Sequence, residues 1–135
     1  MADLNDICKD MVQEVTDALG AAVVDLSSGL LLAAHHNVPY FTQSYLDAVA
    51  AAAVDMFRGK TISNVEKLLS NQRGTTVANS IKEVQMTTDH TFHFMSIVTG
   101  KENCLIVLIT GRKANLGMGW SAIRGALPDV APLCP

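Results

Sequence analysis

Ala21-Ala22-Val23-Val24-Asp25-Leu26-Ser27-Ser28-Gly29-Leu30-Leu31-Leu32-Ala33-Ala34 is the stretch that decides the fold. Two apolar runs, Ala21 to Leu26 and Leu30 to Ala34, flank the connection Ser27-Ser28-Gly29. A short loop ending in glycine between two strand-like runs reads as a β-hairpin. Asp25 stands at the mouth of the turn, where a carboxylate can accept hydrogen bonds from the turn itself. Upstream, Leu4, Ile7, Cys8, Met11, Val12, Val15 and Leu19 recur at i, i+3, i+4 spacing and form one helical stripe. The spacing predicts a helix over Asp3 to Leu19. Asp3 serves as its N-cap, Asp6 suits the positive end of the dipole, and Gly20 stops it.

Downstream, His35-His36-Asn37-Val38-Pro39 is a break, and a second helix is expected from Phe41 to Phe57. Its polar residues Asp47, Asp55 and Arg58 lie with Ala51 on a narrow strip. The remainder is apolar: Tyr45, Leu46, Val49, Ala50, Ala52, Ala53, Val54, Met56 and Phe57. A helix apolar over most of its circumference must be covered on more than one side. A sheet covers one side, so a second subunit is the expected cover of the other. Gly59 ends this helix. Ile62, Val65, Leu68 and Leu69 predict a further short one, with Ser63 and Glu66 in capping-box spacing, then a loop over Asn71 to Thr76.

Three strands follow, at Ser80 to Thr88, Thr91 to Thr99 and Cys104 to Thr110, linked by Asp89-His90 and Gly100 to Asn103. In the first, Lys82, Val84 and Met86 alternate with Glu83, Gln85 and Thr87, as in a half-exposed strand. Leu105-Ile106-Val107-Leu108-Ile109 is apolar on both faces and belongs at the sheet centre, between helices. A last helix from Asn115 to Leu127 carries Leu116, Trp120 and Ile123 and is stopped by Pro128. The tail beyond it, 129–135, has no need of order.

Over 135 residues, hydrophobic side chains make up 49% and charged ones 17%, below the quarter usual in soluble domains. That excess of apolar surface again points to a buried subunit interface. A net charge of −3 with scattered basic residues argues against nucleic acid. No stretch approaches a membrane span and no basic, apolar secretion signal opens the chain, so a soluble cytoplasmic protein is expected. Cys8, Cys104 and Cys134 are an odd set without paired spacing, consistent with a reducing compartment. Cys8 falls on an apolar helix face, whereas Cys134 is expected to be exposed in the tail.

The chemical motifs fail their tests. His35, His36, His90 and His93 lie in pairs one or three residues apart, which on a strand point to opposite faces. Zinc-type spacings are absent, so no metal is expected, although a metal-dependent enzyme built on these histidines is one competing reading. Gly117-Met118-Gly119-Trp120-Ser121-Ala122 has the form G-x-G-x-x-A, but no strand and downstream acid complete a dinucleotide unit. Gly117 and Gly119 are better read as permitting close helix–sheet packing. With no phosphate loop and no nucleophile elbow either, neither a cofactor nor enzymatic activity is expected.

The hairpin around Asp25, closed by Gly29-Leu30, resembles that of the Roadblock/dynein light chain (MglB-like) family. The strand Leu105 to Ile109, followed by Asn115-Leu116-Gly117 and an amphipathic helix, is similar to that family's closing elements. The likeness runs over residues 3 to 128 in element order, so the expected organisation is one domain, 1–128, with a tail. Residues 59 to 78 exceed the family's usual link. The resemblance implies an α/β (α+β), profilin-like, five-stranded antiparallel sheet of order 2-1-5-4-3 with helices on both faces. It also implies homodimerisation through the long helix and the third strand, with Val49, Ala52, Ala53 and Met56 facing the partner helix. Val84 and Met86 then lie beside the partner strand. The function implied is a non-catalytic regulator or scaffold of a small Ras-like GTPase, binding no nucleotide itself. A small-molecule sensor of the profilin, PAS or GAF type is the alternative, and it requires an enclosed pocket between sheet and long helix.

Overall fold

The computed structural model describes residues 2–135. Its elements are α1 (Leu4–Glu14), β1 (Ala18–Asp25), β2 (Leu30–His36), α2 (Gln43–Arg58), α3 (Lys60–Arg73), β3 (Glu83–Thr87), β4 (Thr91–Val98), β5 (Lys101–Gly111) and α4 (Leu116–Val130). A 3-10 turn over Ala131–Leu133 closes the chain. The strands form one sheet of order β2-β1-β5-β4-β3, antiparallel throughout, as the resemblance implied.

β5 lies in the middle because its side chains are apolar in both directions. Cys104, Ile106 and Leu108 enter a core shared with Ile7, Cys8, Met11 and Val12 of α1 and Ala122, Ile123 and Val130 of α4. Leu105, Val107 and Ile109 enter the opposite core, shared with Ala50, Ala53 and Phe57 of α2. Alternation along one strand therefore assigns α1 and α4 to one face and α2 to the other. The β1–β2 turn is built as expected on Asp25. One carboxylate oxygen accepts the Ser27 N–H at 3.0 Å and hydroxyl at 2.7 Å, and the other accepts the Ser28 hydroxyl at 2.8 Å. Gly29, at φ +74°, supplies the left-handed residue that closes it.

Several boundaries differ from the sequence expectation, each for a local reason. Asp3 and Asp6 cap α1 reciprocally, but the helix ends at Glu14 rather than Leu19. Val15 turns extended, and Asp17 adopts φ +69°. Asp17 is fixed there by the end of β5: its carboxylate accepts the Lys113 N–H at 3.0 Å and its carbonyl the Gly111 N–H at 2.9 Å. Gly20 consequently sits inside β1. The connection from β4 to β5 is shorter than the expected 100–103, because β5 begins at Lys101 and Gly100 takes φ +82°. α4 is capped by Asn115, and it runs through Pro128 to Val130 instead of stopping at Leu127. Pro128 forfeits the hydrogen bond to the Arg124 carbonyl and crowds it, a local cost that the helix carries. The buried Val130 secures the last turn.

Of the two glycines in the G-x-G-x-x-A stretch, only Gly119 is a packing glycine. A Cβ there would lie 2.5 Å from the fully buried Phe94 ring, whereas Gly117 is exposed. Gly125, in the same helix, has open space around it. Gly119→Ala is expected to destabilise the fold, since overpacking of about 1–3 kcal/mol exceeds the roughly 1 kcal/mol of helix propensity it gains. Gly125→Ala is expected to stabilise by about 0.5–1 kcal/mol. Urea denaturation of the two variants checks the opposite signs.

Candidate interaction surface

Because α2 buries only Ala50, Ala53 and Phe57, most of its circumference remains available. Ser44, Asp47, Ala48, Ala51, Ala52 and Asp55 are exposed, so the outermost line consists of short side chains flanked by two acids. Along one flank, Tyr45, Val49 and Met56 are half-buried and stand in line with Ala52. Val54 is on the other flank, where a Cβ at Gly29 of the β1–β2 turn would lie 3.8 Å from it. The Tyr45–Val49–Ala52–Met56 line therefore lies on the flank of α2 opposite Val54, and the sheet has a second margin across from β2.

β3 forms that margin, pairing with β4 on one side only. Val84 and Met86 project to the α2 face and are half-buried, while Glu83, Gln85 and Thr87 are exposed. The margin is not heavily shielded by charge: Glu83 is taken up by Arg124 of α4, at 3.1 Å. Unpaired strand edges with apolar neighbours are sites of association.

Five of the residues that the resemblance implies for a partner contact, Val49, Ala52, Met56, Val84 and Met86, retain exposed surface. Ala53 does not. It has no exposed surface and packs inward with Ala50 and Phe57, because it lies three residues after the one and four before the other, on the same helix face. The misplacement arises from the uniformity of the helix. Where nearly every position is alanine or larger and apolar, the sequence does not mark which side the sheet occupies.

α3 is longer than the sequence predicted, 14 residues following directly on Gly59. Ser63 is inside the helix, donating its N–H to the Gly59 carbonyl, and Glu66 makes no capping box. The Glu66 carboxylate instead accepts the Ser80 N–H at 2.7 Å and the Ser80 hydroxyl at 2.6 Å, pinning the chain that leads into β3. These bonds, the side-chain one foremost, hold its pKa below the ordinary glutamate value despite a small opposing effect of burial. Val65 and Leu68 are exposed on the outer side of α3.

The remaining candidates disperse. His35 and His36 are neighbours on β2, His90 is exposed in the β3–β4 turn, and His93 is buried on β4 beside Thr91, 3.0 Å away. Burial pushes the His93 pKa down, favouring the neutral ring. Among the described residues, no three His, Cys, Asp or Glu side chains converge as a metal site would need. Between the sheet and α2 the free volume is about 10 Å³, bounded by Leu31, Phe41, Leu46 and Val49 among others. That scarcely admits one water, so it offers no room for a sensed ligand. Among the described residues no helix is long and apolar enough to cross a membrane.

No family model matches the chain, and no curated protein matches it by sequence. Solved structures match it over almost its whole length. A Roadblock/LC7 domain from Streptomyces avermitilis superposes with TM-score 0.72 at 19% identity, covering 97% of each chain. MglB of Myxococcus xanthus gives 0.69 at 15% identity, covering 96% of this chain and 92% of the other. The gliding protein MglB of Thermus thermophilus gives 0.70 at 17%, covering 95% and 85%. At such identities the likeness is one of fold. The protein has the Roadblock/LC7 fold, of the kind also adopted by MglB.

The Glu66–Ser80 clasp makes the approach to β3 sensitive to acid. Because the folded pKa is depressed, its contribution is present above the ordinary glutamate value, about pH 4.3, and is lost as pH falls through the lower folded value. Glu66→Ala is expected to cost about 1 kcal/mol at neutral pH and to flatten that acid limb. Hydrogen exchange across residues 77–84, measured between pH 3 and 6, checks both.

Proposed function

We propose that this protein is a non-catalytic homodimer that regulates or scaffolds a small Ras-like GTPase in the cytoplasm. The dimer reading is supported by two features together, the unpaired edge of β3 and a line of small and apolar side chains on α2. A second copy related by two-fold symmetry places β3 against β3 and continues the sheet. It also seats α2 beside its counterpart through Val49, Ala52 and Met56, with Val84 and Met86 beneath. Asp47 and Asp55 favour that line over the outermost one, since antiparallel contact through Ala48 and Ala51 brings like charges together.

A partner rather than a sensed ligand is supported by how little space lies between the sheet and the long helix. The space under α2 is about 10 Å³, and the strongest pKa displacement belongs to Cys8, pushed up to about 12 by burial and so inert. The choice of a Ras-like GTPase rests on the family resemblance in the Asp25 hairpin and the closing strand and helix, together with the shared fold.

Light scattering is expected to give a dimer at micromolar concentration. Ala52→Glu combined with Met86→Lys is expected to give a folded monomer, raising the dissociation constant roughly 100-fold or more, equivalent to about 3 kcal/mol. A wild-type monomer overturns the dimer. For the partner, calorimetric titration with the host's small Ras-like GTPases, loaded with GDP or a GTP analogue, is expected to show nucleotide-dependent binding. Absence of binding in both nucleotide states, with every such GTPase, overturns that assignment.

A further inference from the structure

Of the last five residues, Cys134 alone has a buried side chain, and Ala131 packs only partly against the core. Val130 is the final fully buried residue of α4. Beyond it, Pro132, Leu133 and Pro135 are exposed and Ala131 is half-buried. Cys134 alone turns inward, to 6% exposure, and is bonded to Cys104 on β5, with the two Cα atoms 6.5 Å apart. The other ties are slight. The Cys134 N–H is donated to Ala131 within the segment itself, and Lys101 Nζ donates to the Cys134 carbonyl at 3.2 Å. Cys104 pairs with Asp25 across the sheet, so the fastening lies next to the β1–β2 turn. There Pro135 borders a recess of about 240 Å³ together with Asp25, Ser27, Leu32 and Asn103.

The geometry points to a reversible redox clasp: the Cys104–Cys134 bond pins residues 131–135 across the recess when oxidised, and reduction frees them and opens it. Release is local because the rest of α4 has its own anchors. Ala122, Ile123, Ala126 and Val130 are buried, and Trp120 meets Phe94 edge-on at 5.4 Å. By contrast, one buried thiol does not offset the conformational entropy of fixing five residues. The third thiol does not interfere, since Cys8 is fully buried in α1.

The chemistry is ordinary thiol–disulfide exchange with a small thiol such as glutathione. In reduction, its thiolate attacks the sulfur of Cys134 to form a mixed disulfide, and Cys104 leaves as the thiolate and takes a proton. A second small thiol attacks the mixed disulfide and releases Cys134 as a thiol. Two electrons and two protons pass from two small thiols to the protein, leaving one small disulfide. Oxidation by that disulfide reverses each step.

The whole chain equilibrated in glutathione buffers of differing ratio supplies the test, by alkylation with intact-mass counting and by hydrogen exchange. The oxidised protein is expected to show one alkylatable thiol after denaturation, and the reduced protein three. On reduction, native-state alkylation of Cys134 and amide exchange at residues 131–134 are expected to rise about tenfold or more, with β4 and β5 almost unchanged. Cys134→Ser is expected to show the released pattern in both buffers, while Cys8→Ser keeps the response. Three free thiols in the most oxidising buffer overturn the clasp. So does unchanged protection at 131–134 on reduction, and so does exchange rising throughout the sheet, which marks a global staple.

Discussion

The structure depends on burying both faces of β5. Leu105 to Ile109 supply five large apolar side chains pointing alternately up and down, each almost without exposed surface. At about 1.5–3 kcal/mol for each such side chain, their burial alone is comparable with the net stability of a typical domain. A strand of this kind cannot lie at a margin or face water on one side. It must have strands on both flanks and helices above and below, and the order β2-β1-β5-β4-β3 places it third of five.

The two covers are unequal, and the inequality creates the surface on which function is proposed. α1 and α4 together close one face, with α1 against β1, β2 and α4. On the other face α2 works nearly alone, since α3 buries only Glu66 and spends it on the approach to β3. Val84 and Met86 stay half-buried on β3, the open strand edge, and on α2 Val49 and Met56 stay half-buried and Ala52 exposed. A molecule so arranged has contact surfaces to offer and scarcely any enclosed volume beneath α2.

Where sequence and structure diverge, a distant residue outweighs a local pattern. The stripe ending at Val15 and Leu19 is helical by spacing, yet Asp17 is drawn into a left-handed turn by Lys113 and Gly111, far along the chain. Val15 and Leu19 then serve different faces, the first against α1's own core and the second toward α2. Ser63 and Glu66 have capping-box spacing, but Gly59 begins α3 earlier and Ser80 claims the carboxylate. Pro128 reads as a stop, and the burial of Val130 carries the helix past it. Cys134 reads as an exposed tail residue, and contact with Cys104 makes it a buried one.

The sequence by itself determined the sheet's centre, its hairpin and the presence of helices on both faces. These follow from periodicity and turn chemistry, which act between residues a few positions apart. Only the tertiary structure decided which side of α2 meets the sheet and that Ala53 belongs to it. It alone also decided where α1 gives way to β1 and that Cys104 and Cys134 are partners. Each of those depends on contacts between residues from 30 to 96 positions apart or between whole elements. Such contacts leave no local trace, because an alanine, an aspartate or a cysteine reads the same in sequence whichever neighbour the fold brings to it.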